Sequence, residues 1–161
     1  MGWSTCRRAE RRGFPFGPGS GKVGVFREPV CGACMDENYD EAARRHWGDA
    51  RLLDERSRWE NADQLYGLAA ECALKSALKR AGYFREDQHC KHINVLWRKI
   101  QATAFRNQFP GLAGELAGEE RFADWDVEQR YAADGAVPKA AVERHCEGAR
   151  RLLVATGLFR G

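Results

Sequence analysis

Glu71 and Lys75 stand four residues apart in the run AAECALKSAL, in the favourable Glu-then-Lys order for a helix. On an open face such a pair is a surface ion pair worth about 0.2–0.5 kcal/mol. Against a neighbouring helix it would hold a polar site instead. Downstream, REDQHCKHINVLW places Arg85, His89 and His92 around the start of another helix. A histidine there can take the proton of a ribose 2′-hydroxyl, and an arginine can stabilise charge on the phosphorane, which is the chemistry of a metal-independent ribonuclease. The same helix start offers free N–H groups to a phosphate. The plain alternative is two exposed or capping histidines in a polar turn. A third stretch, DWDVEQRY, gathers Asp124, Asp126, Glu128, Arg130 and Tyr131. Its Arg-Tyr pair either caps a helix at the edge of the core or completes a polar cleft. If the three stretches converge, Glu71, Lys75, His92, Arg130 and Tyr131 share one site. Lys75 and Arg130 then bring positive charge to a phosphate or an acidic partner, and Glu71 orients one of them. His92 is a donor, or a base if Arg85 lies alongside.

Two other motifs are incomplete. FGPGSGKVG, residues 16–24, ends like a phosphate loop, but Phe16 stands where the first glycine belongs and Val23 where the magnesium-binding hydroxyl belongs. The stretch before it is basic and Pro-broken, not an apolar strand. Cys31, Cys34, His89, Cys90 and His92 offer one CxxC knuckle, but no clean second pair. Neither a metal nor a cofactor is expected.

The elements that must position these residues are helices. Apolar residues recur at helical spacing from Tyr39 onward, and strand signals are absent. A first helix carries the stripe Tyr39, Ala43, Trp47, Ala50 and Leu53. A second spans 61–83, capped by Asn61, stopped by Gly82 and lined with small residues that let neighbours approach closely. A third runs from about His89 to Phe105. NQFPGLAGELAGEE reads as a loop. A short helix over DWDVEQRY takes Asp124 as its cap. The last helix has Pro138 at its first turn and Gly157 past its end, with His145 in its inward stripe. The expected fold is all-α, an antiparallel four- to five-helix bundle over 36–161. Residues 1–35 are expected to be a flexible, disordered N-terminal extension, and Met35 is a candidate natural start.

Charge follows the same division. Residues 1–34 hold six of the 26 Lys and Arg and two of the 23 Asp and Glu, so the body carries 20 − 21 = −1. That body has no global basic field of the kind that draws nucleic acid. No apolar run approaches a transmembrane span and no leader is visible, so the reading is a cytoplasmic chain with reduced thiols and no membrane partner. Five Trp, eight Phe and four Tyr are many for a small bundle, and self-association through a shared aromatic face is expected.

The order of these features resembles the HEPN family of small helical bundles over residues 37–157. The resemblance rests on AAECALKSAL, then HINVLW, then DWDVEQRY, then CEGARRLL. It implies a bundle that is often dimeric, with members acting as ribonuclease toxins, phage-defence effectors or non-catalytic RNA- or nucleotide-binding modules. Several are paired with a small nucleotidyltransferase. Catalytic members carry Arg, four to six residues, then His, late in the bundle. Arg85 and His92 have that spacing but lie early, and neither Arg130 nor Arg144 stands at that spacing from His145. The resemblance is therefore to the branch without the ribonuclease motif. Glu71, Lys75, His92, Arg130 and Tyr131 match the family positions. The implied function is a module binding RNA, a nucleotide or a nucleotidyltransferase partner, in a toxin–antitoxin or defence setting. The alternatives are a ribonuclease using Arg85 and His92, and a purely structural bundle.

Overall fold

Asn38 starts the first helix by accepting the Glu41 N–H at 3.1 Å, and α1 then runs Tyr39–Asp54. In this computed structural model the described residues are 37–100 and 105–159. The expected extension over 1–35, the Met35 start and the Gly-rich stretch 16–24 lie outside them. Through the short connection 55–58 the chain reverses into α2, Trp59–Arg80, which starts two residues before the expected Asn61 cap and has no side-chain cap. This helix is central. Nearly every residue from Ala62 to Leu78 is buried, because its alanines and Gly67 leave room for neighbours on several sides. Gly82 ends it at φ 75°. Its N–H bonds back to the Lys79 carbonyl at 3.1 Å, and the Tyr83 N–H reaches Leu78 at 2.9 Å.

The third expected helix is two. α3 is a single turn, Glu86–His89, and α4 is Ile93–Lys99. Between them His92 takes an extended backbone, φ −74° and ψ 162°, as the N-cap residue of α4. The His89 ring explains part of the break, since its Nδ1 accepts the Arg85 N–H at 2.8 Å and closes the turn on itself. Ile100 is extended at ψ 120°, so α4 stops there instead of running on towards Phe105. A helix also appears where a loop is expected: α5, Pro110–Ala117, with proline at its first turn, where a missing N–H costs nothing.

DWDVEQRY forms a 3-10 helix, Val127–Tyr131. Asp126, not Asp124, caps it, with Gln129 completing a capping box. α6 spans Lys139–Ala155 and ends at Gly157 with φ 72°. α1 packs on α2 and α2 on α6, while α5 lies on α6 and α4 on α2. The result is an all-α antiparallel bundle, with no strand among the described residues. Its core is built from Tyr66, Leu74, Ile93, Leu96, Phe122, Trp125, Leu152 and Leu153. The described tryptophans, Trp47, Trp59, Trp97 and Trp125, all lie in or against that core. Large exposed apolar side chains among the described residues are Leu52, Tyr83 and Tyr131, so the aromatic content goes mainly into the chain's own interior.

Candidate functional site

Counting by fours along α2 gives Asp63, Gly67, Glu71, Lys75 and Lys79, a row in which each residue neighbours the next while the row winds around the helix. A different element meets each level. His145 of α6 meets Asp63, and the Trp125 indole lies on Gly67. His92 meets Glu71, and Tyr39 of α1 covers Lys75 and Lys79. Asp63, Glu71 and Lys75 are the buried polar side chains of this column, whereas Lys79 is exposed.

Glu71 is the centre of the column. One carboxylate oxygen accepts from Lys75 Nζ at 2.7 Å and the other pairs with His92 Nδ1 at 3.1 Å. Glu71 and Lys75 are buried, at 7% and 8% exposure, whereas the His92 side chain remains half exposed. A carboxylate can only accept, so its contact fixes the proton on His92 Nδ1. Nε2 has no hydrogen-bond partner among the described residues. The ring also lies 6.2 Å from Trp125, which limits its freedom. The Lys75 ammonium is 5.6 Å from the centre of the Tyr39 ring. The Tyr39 hydroxyl, partly buried and bonded to Glu37, titrates above its ordinary range.

At the other end, His145 is fully buried between two carboxylates. Nδ1 lies 2.6 Å from Asp63 and Nε2 3.2 Å from Asp124, and Asp124 also pairs with Arg144. With both carboxylates ionised, each ring nitrogen must donate. Burial pushes the Asp124 carboxyl up, but the His145 hydrogen bond and charge, with Arg144, outweigh it and hold the group below its ordinary value. Phe122 stacks on the imidazole at 5.2 Å, and the Trp125 Nε1–H donates to the Asp63 carbonyl at 3.1 Å. These contacts seal the end of the column and pin the segment 122–125 to α2 and α6.

The structure thus brings Glu71, Lys75 and His92 together. No hydrogen bond or ion pair joins Arg130 or Tyr131 to these three. Tyr131 is 72% exposed, and the Arg130 guanidinium lies 4.8 Å over the Tyr131 ring and 4.0 Å from Glu128. The 3-10 turn capped by Asp126 has no fully buried residue over Val127–Tyr131, although Val127 packs against the core. Nor does a hydrogen bond or ion pair join Arg85 to His92. Arg85 lies 3.6 Å from Asp87 and lines a cavity of about 290 Å³ with His89 and Lys99. α3 is a single turn and α4 fewer than two.

Asp63 and the role of Asp124 are absent from the sequence expectation, in which His145 lies on an apolar stripe without a partner. A signal was present: Asp63 stands eight residues before Glu71, in the same row. Cys31 and Cys34 of the zinc combination lie outside the described residues, among which no three His, Cys, Asp or Glu side chains gather as a metal site. No described helix is long and apolar enough to cross a membrane. In comparisons with known proteins, no family model, curated protein or solved structure matches this chain.

Proposed function

We propose that this chain is a HEPN-like helical module that binds single-stranded RNA on the face where His92 emerges from the polar column. One observation carries the reading. Glu71 is a buried carboxylate with both oxygens engaged, and one of them orients a half-exposed histidine whose outer nitrogen is unpartnered. A bundle held only by packing has no need of an imidazole oriented at its surface. In this reading His92 contacts the ribose or phosphate, Glu71 positions it, and Lys75 holds Glu71 in place. A homodimer, or a complex with a nucleotidyltransferase, is the assembly that the family resemblance suggests.

A labelled short single-stranded RNA, followed by fluorescence anisotropy at several salt concentrations, tests this. The wild-type protein should bind with an affinity that falls as salt rises, and His92→Ala should weaken it at least about tenfold, the worth of one good polar contact. Equal binding by the two proteins would sink the proposal.

The fixed tautomer favours one second reading, a metal-independent ribonuclease. His92 Nε2 would take the 2′-hydroxyl proton, the 2′-oxygen would attack the adjacent phosphorus, and the phosphorus–5′-oxygen bond would break as that proton is handed to the leaving 5′-oxygen, giving a cyclic phosphate. In that reading Arg85 would stabilise charge on the phosphorane. RNA left intact by wild-type protein would exclude this reading without touching the first.

A further inference from the structure

The cavity beyond the C-terminal end of α2 shares no residue with the polar column. Tyr83, Arg85, Gln88, His89 and Lys99 supply its polar lining, over a floor that includes Ile100. Nearly all of these groups are donors without partners. The Lys99 ammonium, the Tyr83 hydroxyl and the Gln88 amide make no hydrogen bond among the described residues. The His89 ring is fixed as a donor too: Nδ1 already accepts the Arg85 N–H at 2.8 Å, so the proton of the neutral ring sits on Nε2. The facing carboxylate is Asp87, 3.6 Å from Arg85 Nε, with both side chains about two-thirds exposed. Arg85, His89 and Lys99 line this one cavity together. The last carbonyls of α2 are already taken by the Gly82 and Tyr83 N–H groups.

A second cavity of about 280 Å³ makes the contrast. Its Arg150 and Arg151 are engaged by Glu147 and Glu115, whereas most of the first cavity's donors are unengaged.

We propose that this cavity binds one nucleotide unit, its phosphate against Arg85, Lys99 and His89 and its base stacked on the half-exposed Tyr83 ring. A concave set of donors with two permanent cations suits a phosphate, and an exposed aromatic beside cations is the arrangement that holds an unpaired base. The volume, just below the roughly 300–1,000 Å³ usual for small-molecule sites, suits one nucleotide and no more.

Calorimetry on the full chain with adenosine 5′-monophosphate, adenosine, inorganic phosphate and a short oligoadenylate tests this. The monophosphate should bind more tightly than adenosine or phosphate alone. Lys99→Ala and Arg85→Ala, both surface changes that spare the core, should each weaken it at least about tenfold. Tyr83→Ala should weaken the monophosphate and leave phosphate unchanged. A monophosphate that binds no better than phosphate or adenosine, or a Lys99→Ala protein of unchanged affinity, overturns the proposal. Oligoadenylate binding tighter than the monophosphate identifies a strand as the source, and equal binding a free nucleotide. The inference does not rest on the His92 reading. His92→Ala should leave monophosphate binding intact, so loss of RNA binding in that variant and loss of nucleotide binding in Lys99→Ala are separate results.

Discussion

Replacing Glu71 tests the column at its centre. Glu71→Ala removes the counter-ion of a lysine that is 8% exposed, and Lys75 has no other acceptor among the described residues. Breaking one partner out of a buried pair costs about 3–5 kcal/mol, because the remaining charge stays desolvated. At roughly 2–4 °C per kcal/mol for a chain of this size, the midpoint of thermal unfolding should fall by about 6–20 °C. Glu71→Leu combined with Lys75→Met removes both charges and should recover most of that loss, since a buried pair replaced by apolar side chains is commonly neutral or better. Glu71→Gln isolates the second role. Lysine only donates, so the amide oxygen must face Lys75, and the amide NH₂ is then turned to His92 Nδ1. That nitrogen must accept, and the proton moves to Nε2. Long-range ¹H–¹⁵N spectra of the imidazole read this directly: wild type should show the Nδ1–H form and Glu71→Gln the Nε2–H form. A fall of less than about 1 kcal/mol in Glu71→Ala, the range of an exposed pair, or the same tautomer in both proteins, would refute the reasoning.

Other consequences are cheaper to check. Gly67→Ala drives a Cβ into the buried Trp125 indole, so it should destabilise by about 1–3 kcal/mol or expel the indole, shifting tryptophan emission to the red. Unchanged stability and emission would show that Trp125 does not lie on α2. The Asp124 carboxyl is held below its ordinary value of 3.8, so its contribution is present above that pH and is lost as pH falls through the lower folded value. Acid unfolding of Asp124→Asn should therefore lack this component, and superimposable acid curves would count against the His145 contact. Burial pushes the Cys72 thiol up to about 12, so Cys72 should resist alkylation in native protein while exposed Cys90 reacts, as peptide mapping would show.

The parts of the fold that could be read from sequence are those fixed by local rules. Gly82 and Gly157 end helices because each needs a positive φ, and the inward stripe of α6 follows the 3.6-residue period. The misreadings have tertiary or side-chain causes. The helix expected over 89–105 is broken where the His89 ring bonds the Arg85 N–H and His92 turns to Glu71, and neither contact leaves a periodicity signal. α5 contains two glycines, which propensity counts against, and its burial of Leu112 and Ala113 compensates for them. The site divides in the same way. The Glu71–Lys75 spacing is visible along the chain, but Asp63–His145 joins residues 82 apart, and only the packing of α2 on α6 brings them together.

The two ends of the column separate structure from function. A buried ionic network can exist solely to select one packing arrangement, and the Asp63–His145 end fits that description, with both side chains fully buried. The Glu71 end does not. Its ion pair with Lys75 is complete without a third residue, yet His92 is added to it and left 49% exposed. If His92 served stability, its removal would weaken the fold. If it serves a ligand, removal should be nearly silent, because a half-exposed side chain gives up little burial and water entering its place can donate to the freed Glu71 oxygen. His92→Ala should therefore cost no more than about 1 kcal/mol, the net worth of one hydrogen bond, in denaturant unfolding with an unchanged slope. A loss of 3 kcal/mol or more, comparable to breaking the buried pair itself, would make His92 a structural member of the column and leave the bundle without an oriented surface group on this face.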